Sequence, residues 1–141
     1  MGMNDAQNRM LRKQCDAMPN ELLLRGIALF NAGDYFEQHE VLEEAWRQES
    51  GPIRQLYQGI LQVGVAYLHI KRGNYLGATR LLERALDKLL QLPDVCQGVD
   101  VAQLVSDAST ARAQVIRLGP ERINQFSSVF FKPVRLKHGL R

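Results

Sequence analysis

The sequence predicts an all-α protein: a compact bundle of five or six helices built on two tetratricopeptide-like helical hairpins. Three observations carry that expectation. Apolar residues recur at helical spacing along most of the chain, and no convincing two-residue alternation precedes the C-terminus. Breaks containing Gly or Pro, several followed by Asn or Asp, separate the periodic runs. Finally, the chain repeats itself at an offset of forty residues. Ala32-Gly33-Asp34-Tyr35 returns as Arg72-Gly73-Asn74-Tyr75, and Leu42, Glu43 and Ala45 then fall on Leu82, Glu83 and Ala85.

Taken in order, a weak first helix over Asp5–Met18 ends before Pro19. Asn20 supplies an N-cap for a second helix to Asn31, whose apolar side is Leu22, Leu23, Ile27, Leu29 and Phe30. Gly33 stops it and Asp34 opens a third over Tyr35–Gln48. Ser50-Gly51-Pro52 breaks the chain, with Pro52 suited to a first turn. The fourth helix, Ile53–Arg72, is apolar nearly all round and reads as buried. Its Gly59 and Gly64 weaken an isolated helix by about 1 kcal/mol each but admit a close neighbour. Asn74 caps a fifth over Tyr75–Leu92, and a loop follows over Asp94–Val99. Asp100 caps a sixth over Val101–Leu118, closed by Gly119-Pro120. The resulting organisation is an extension or short helix over 1–19, a helical domain over 20–119 and a basic, aromatic extension over 120–141.

At 141 residues the chain can bury roughly two-thirds of its unfolded surface without a metal or disulfide staple. Its 45% hydrophobic and 23% charged residues exclude a disordered or collagen-like chain. Charge is uneven. Residues 1–110 hold 11 Lys and Arg against 14 Asp and Glu, whereas residues 111–141 hold 7 against 1. Cys15 and Cys96 are far apart and lack metal spacing, so they read as thiols in a reducing compartment. The polar first twenty residues do not read as a secretory leader. The apolar stretch Leu56–Ile70 is shorter than the roughly 20 residues of a membrane span. A cytoplasmic protein with no transmembrane segment is expected.

Helix three carries the chemistry. Positions 35, 39, 42 and 46 form one stripe, so His39 is predicted to face the core between Tyr35, Leu42 and Trp46. Glu43, four residues on, is placed to meet its imidazole. Gln58, Gln62 and His69 form a second polar stripe on helix four. Setting the two stripes face to face gives one enclosed polar cluster, because buried imidazole and carboxylate groups need partners. Two readings follow. In one the cluster is a structural hydrogen-bond network. In the other His39 and Glu43 ligate a divalent metal, with His69 or Glu40 as third ligand. A zinc protease is excluded, since its second His would stand where Glu43 does. No phosphate-cradling Gly-rich loop and no Gly-x-Ser-x-Gly elbow occurs, and neither cysteine has an adjacent base.

At these same residues the chain resembles a family of small bacterial and archaeal helical proteins, the domain-of-unknown-function family numbered three hundred and nine. That family is marked by His-x-x-x-Glu-x-x-Trp/Tyr, matched by His39, Glu43 and Trp46. The flanking Phe30–Trp46 segment, Leu56-Tyr-Gln-Gly-Ile-Leu-Gln and Arg72-Gly-Asn with Gly77-Ala78 are also similar. The resemblance covers about residues 22–91 and implies an all-helical bundle whose motif binds metal; no reaction comes with it.

In the C-terminal extension Phe126, Val129, Phe130 and Phe131 alternate with Lys132, Arg135 and Lys137. Such a segment can cover a groove on its own domain, dock on a protein partner or dimer mate, or touch nucleic acid through phosphate pairing and stacking. The leading functional expectation is a non-catalytic protein-interaction or assembly module that self-associates. The alternative is a metal-binding, hydrolytic protein using His39 and Glu43.

Overall fold

A computed structural model describes residues 2–137. Its order is α1 (Asp5–Cys15), α2 (Glu21–Asn31), α3 (Tyr35–Gln48), α4 (Arg54–Lys71), α5 (Tyr75–Leu89), β1 (Val95–Cys96), β2 (Val99–Asp100) and α6 (Val101–Arg122). Two 3-10 turns follow, Ile123–Gln125 and Ser128–Phe130. The six helices and one two-stranded antiparallel ribbon, Val95 opposite Asp100 and Cys96 opposite Val99, make the all-helical architecture expected.

Helices two to six pack in sequence: α2 on α3, α3 on α4, α4 on α5 and α5 on α6. α4 is central because it is apolar on nearly every side, with Leu56, Tyr57, Ile60, Val63, Ala66, Tyr67 and Ile70 all buried. The forty-residue repeat is visible in the hydrogen bonds. The Asp34 N–H donates to the Leu29 carbonyl at 2.9 Å, and the Asn74 N–H to the His69 carbonyl at 2.8 Å. Within each turn Gly33 and Gly73 adopt φ of +83° and +74° and donate to Phe30 and Ile70. Both helices therefore end in the same left-handed glycine cap, in which a side chain would be strained. Asn20, Asn74 and Asp100 accept from backbone N–H groups as N-caps; Asp34 makes no such bond.

Three helix ends lie three or more residues from expectation, and one of them is α5, which stops at Leu89 and not at Leu92. α1 stops at Cys15, three residues early, and α6 continues through Gly119 and Pro120 to Arg122 with a kink at Gly119, φ +75°. The larger correction concerns the cysteines. Cys15 and Cys96 are not separate thiols but a disulfide that closes a separation of 81 residues. α1 is short and polar, and the bond ties it to β1. Cysteine usage accordingly no longer argues for a reducing compartment. None of the described helices is long and apolar enough to cross a membrane.

Gln14 and Gln97 continue the anchorage. Gln14 donates to the Ser50 carbonyl at 3.0 Å and accepts from the Ile53 N–H at 3.0 Å. Gln97 donates from its backbone to the Cys15 carbonyl and from its side chain to the Gln14 carbonyl, and accepts from the Tyr57 hydroxyl at 2.9 Å. Loop closure of this size is worth about 4 kcal/mol in a chain-entropy account. Reduction, or the Cys15→Ser/Cys96→Ser pair, is expected to lower unfolding free energy by about 2–4 kcal/mol in urea titrations. Coincident oxidised and reduced curves would show that the bond contributes nothing.

Candidate functional site

The rotation of α3 decides which residues are available for chemistry. Its buried stripe is Tyr35, Gln38, Leu42 and Ala45, spaced three, four and three. His39 does not face the core. It lies half-buried on the flank with Glu43 and Trp46, and Gln38, one residue earlier, is the polar group inside, with 0% exposure. The reason is on α4. Gly64 leaves a gap that the Gln38 amide fills, so that a methyl at position 64 would collide with it. Gln38 Nε2 donates to the Leu61 carbonyl at 3.1 Å, while its Oε1 has no protein partner. One amide inside costs less than an imidazole and a carboxylate together. Ala45 is inside at 1% exposure, and Trp46 stays on the flank.

The predicted enclosed cluster is therefore dispersed. Glu43 pairs with Arg47 at 3.4 Å, both about half exposed, and Glu40 is exposed. Glu44 also binds Arg47, at 2.8 Å, and that bond holds its carboxyl below the usual carboxylate range. His69 sits at the end of α4, where its Nδ1 meets the Asn74 side chain at 3.2 Å. Gln62 is half-buried, with its Oε1 enclosed and unpartnered. Among the described residues no three His, Cys, Asp or Glu side chains form a group that could hold a metal. The set His39, Glu43, His69 and Glu40 is thus not assembled as a ligand sphere.

Two of the predicted residues do meet. Trp46 and Gln58 line an open groove of about 490 Å³ with Met3, Gln7, Met10, Gly51, Pro52, Arg54 and Gln55. The Arg54 guanidinium stands 3.6 Å over the indole and donates to the Trp46 carbonyl at 3.1 Å. Met10 is 51% exposed at the rim. Sequence reading missed Arg54, Met3 and Met10. The first carried a weak signal, a cation eight residues beyond Trp46 across a Gly-Pro break; the methionines carried none.

The basic extension is not a free arm. Asn31 brackets Val134, accepting from its N–H at 2.8 Å and donating to its carbonyl at 3.0 Å. Phe131 packs on Tyr67 and Tyr35, with centroids at 5.2 and 6.3 Å, and on Phe126 at 5.0 Å. Phe130 packs on Phe126, and the Lys71 ammonium lies over the Tyr35 and Phe131 rings. Lys137 reaches Asp100 at 3.7 Å and donates from its backbone to Gly98. Of the predicted partner-binding residues, Phe126, Phe130, Phe131 and Lys137 are engaged within the chain; Lys132 and Arg135 are exposed. Val129 is also exposed, at 63%. Residues 138–141, including His138, lie outside the described part.

Residues 23–81 match the family described as a domain of unknown function (DUF309), a narrower span than the resemblance drawn from the motifs. The chain is also similar to the uncharacterized protein YpuF of Bacillus subtilis (strain 168), with 42% identity over 59 residues. That stretch is 41% of this chain and 33% of the relative. An uncharacterized protein of Aquifex aeolicus (strain VF5) is 28% identical over 85 residues, 60% of this chain and 26% of that protein. The chain thus spans about a third or less of the length of these relatives. The matched residues contain α3 and α4 whole, with all of α2 but its first two residues and the first half of α5.

Two outcomes follow from this geometry. Gln38→Ala removes a buried amide from a tight helix contact and is expected to destabilise by about 2 kcal/mol; His39→Ala should stay within about 0.5 kcal/mol of the parent. Urea unfolding followed by Trp46 fluorescence measures both, and the reverse ranking would place His39 inside. Burial pushes Tyr35 and Tyr57 from an ordinary value of 10 up to about 12 and raises Tyr67 in the same direction. The folded chain holds these protons longer than the unfolded one, so their contribution is complete below pH 10 and declines as pH rises through 12. The urea midpoint should fall across that window as tyrosinate absorbance appears; a flat midpoint would contradict the burial.

Proposed function

With the DUF309 match over residues 23–81 as premise, we propose that this protein is a non-catalytic protein-interaction module whose contact surface includes the groove between α1 and the α3–α4 turn. The observation that carries the reading is the composition of that groove. Met3 and Met10 are adaptable apolar groups, Trp46 is a large planar anchor, and the amides of Gln7, Gln55 and Gln58 offer both donors and acceptors. Methionine, tryptophan and arginine are the side chains enriched in protein contacts. Among the described residues that line it there is no nucleophile beside a base and no assembled acid pair, so the role this reading gives the groove is binding.

Nucleic acid fits less well. The aromatic rings on which bases would stack are turned onto Tyr35 and Tyr67 of the same chain. A second copy and a different protein are both accommodated by the groove.

Photo-crosslinking in cells tests the proposal without knowledge of the partner. A crosslinking residue at Gln55 should capture a protein chain, while the same residue at Arg80, exposed on α5, serves as control. Trp46→Ala should weaken the capture through loss of about 2 kcal/mol, roughly thirtyfold in affinity. Yields at position 55 no higher than at position 80 would overturn it.

A further inference from the structure

A second groove, of about 450 Å³, runs between α5 and α6 and is lined by Leu86, Ser109, Arg112, Ala113, Ile116 and Arg117. Its floor is apolar, and Ile116 is 46% exposed. Its rim is basic and held in place. Arg112 donates to the Thr79 carbonyl at 3.2 Å, and Arg117 is braced by Gln114 Oε1 at 2.9 Å. Along α5, Arg84 and Lys88 alternate with Glu83 and Asp87, so the positive rim rests on Arg112 and Arg117. Glu83 lies 3.7 Å from Arg112 but is 65% exposed, so it screens that cation only weakly.

The opposite surface is carried by α3. Its outward face presents Phe36, 60% exposed, followed by exposed Glu37 and Glu40. Among the described residues neither glutamate forms an ion pair, and neither do Arg84 and Arg117. An apolar ring followed by two carboxylates matches an apolar floor bordered by two guanidinium groups. α4 packs between α3 and α5, so one copy cannot close the contact on itself.

We infer that the α5–α6 groove docks the outer face of α3 from a second copy of this chain, Phe36 entering beside Ile116 while Glu37 and Glu40 face Arg112 and Arg117. The inference rests on the interaction-module reading and names one partner for it. Because the two patches are different, the contact closes as a two-fold dimer when two copies exchange α3 faces, and otherwise runs head to tail into a ring or an open chain of copies. Its charged rim makes it salt-sensitive, since the screening length falls from about 10 Å to about 3 Å between about 0.1 M and about 1 M salt.

Sedimentation of the full chain tests this. The parent should exceed monomer mass at about 0.1 M salt and approach it at about 1 M. The exposed single changes Arg117→Glu and Glu40→Lys should each weaken assembly about tenfold or more, and their mixture should recover parental mass, because each variant then meets a complementary surface. Matching thermal unfolding curves establish that both variants fold, and Ile116→Ser probes the groove without altering charge. A monomeric parent, or assembly indifferent to all three substitutions, would overturn the inference. Failure here with strong capture of a foreign protein at Gln55 leaves the module reading standing. Assembly that charge reversal abolishes, without capture at Gln55, removes the Trp46 groove and keeps this surface.

Discussion

The contact between Gln38 and Gly64 sets the rest of the molecule. A side chain at position 64 would hold α3 away from α4, and without the amide the gap would be a void. Seating Gln38 there fixes the rotation of α3, and rotation decides everything presented to solvent. One residue along a helix is about 100° around its axis, so exchanging His39 for Gln38 inside moves the motif residues to the flank. Trp46 thereby reaches the edge of α4, where Arg54 can stack on it, and Phe36, Glu37 and Glu40 are turned outward together. A buried amide does this without the cost of ionised groups, and its donor is satisfied by the Leu61 carbonyl.

The groove beside Trp46 depends on a second constraint. α1 has only Leu11 and Cys15 buried, too little apolar area to hold a helix of eleven residues in place by itself. The disulfide to Cys96 and the two Gln14 bonds to the α3–α4 turn supply what the helix lacks. Met3, Gln7 and Met10 are consequently presented opposite Trp46 at little ordering cost on binding. Tyr57 links this edge to the core. It lies at 0% exposure on α4, and its hydroxyl donates to Gln97 while accepting from Asn20 at 3.3 Å.

Helix positions, the caps at Asn20, Asn74 and Asp100 and the forty-residue repeat were legible because they are local: Gly33 and Gly73 are needed for a left-handed turn whatever surrounds them. The α3 face was not legible in the same way. Stripes 35-39-42-46 and 35-38-42-45 share two members and differ by which neighbour is small. Helical spacing admits both, and the choice lies in Gly64, which sequence identified as a place for close approach without saying what approaches. The disulfide was missed because its partners are separated by 81 residues and the bond depends on how the β1–β2 turn folds back on α1. The tail was read correctly in composition. Its docking depends on Asn31, a helix-terminal residue whose side chain gave no local sign of bracketing Val134.

The same short ribbon gathers both ends of the chain. Cys96 holds α1, while the Asp100 N–H donates to the Arg135 carbonyl and the Lys137 N–H to the Gly98 carbonyl, adding the tail as an edge beside Val99. The tail then lays Phe131 over Tyr35 and Tyr67, shielding an aromatic cluster that would otherwise be an exposed apolar patch. The N-terminal helix and the C-terminal segment thus each cover apolar surface of the same helical body. What is left uncovered is then informative. Ile116 stays exposed between Arg112 and Arg117, and Phe36 beside Glu37 and Glu40, as do Met10, Met18, Leu24, Leu76, Leu90 and Val129 elsewhere among the described residues. Ile116 stands beside cations and Phe36 beside carboxylates, and that complementarity, not exposure alone, is what the proposed contact rests on.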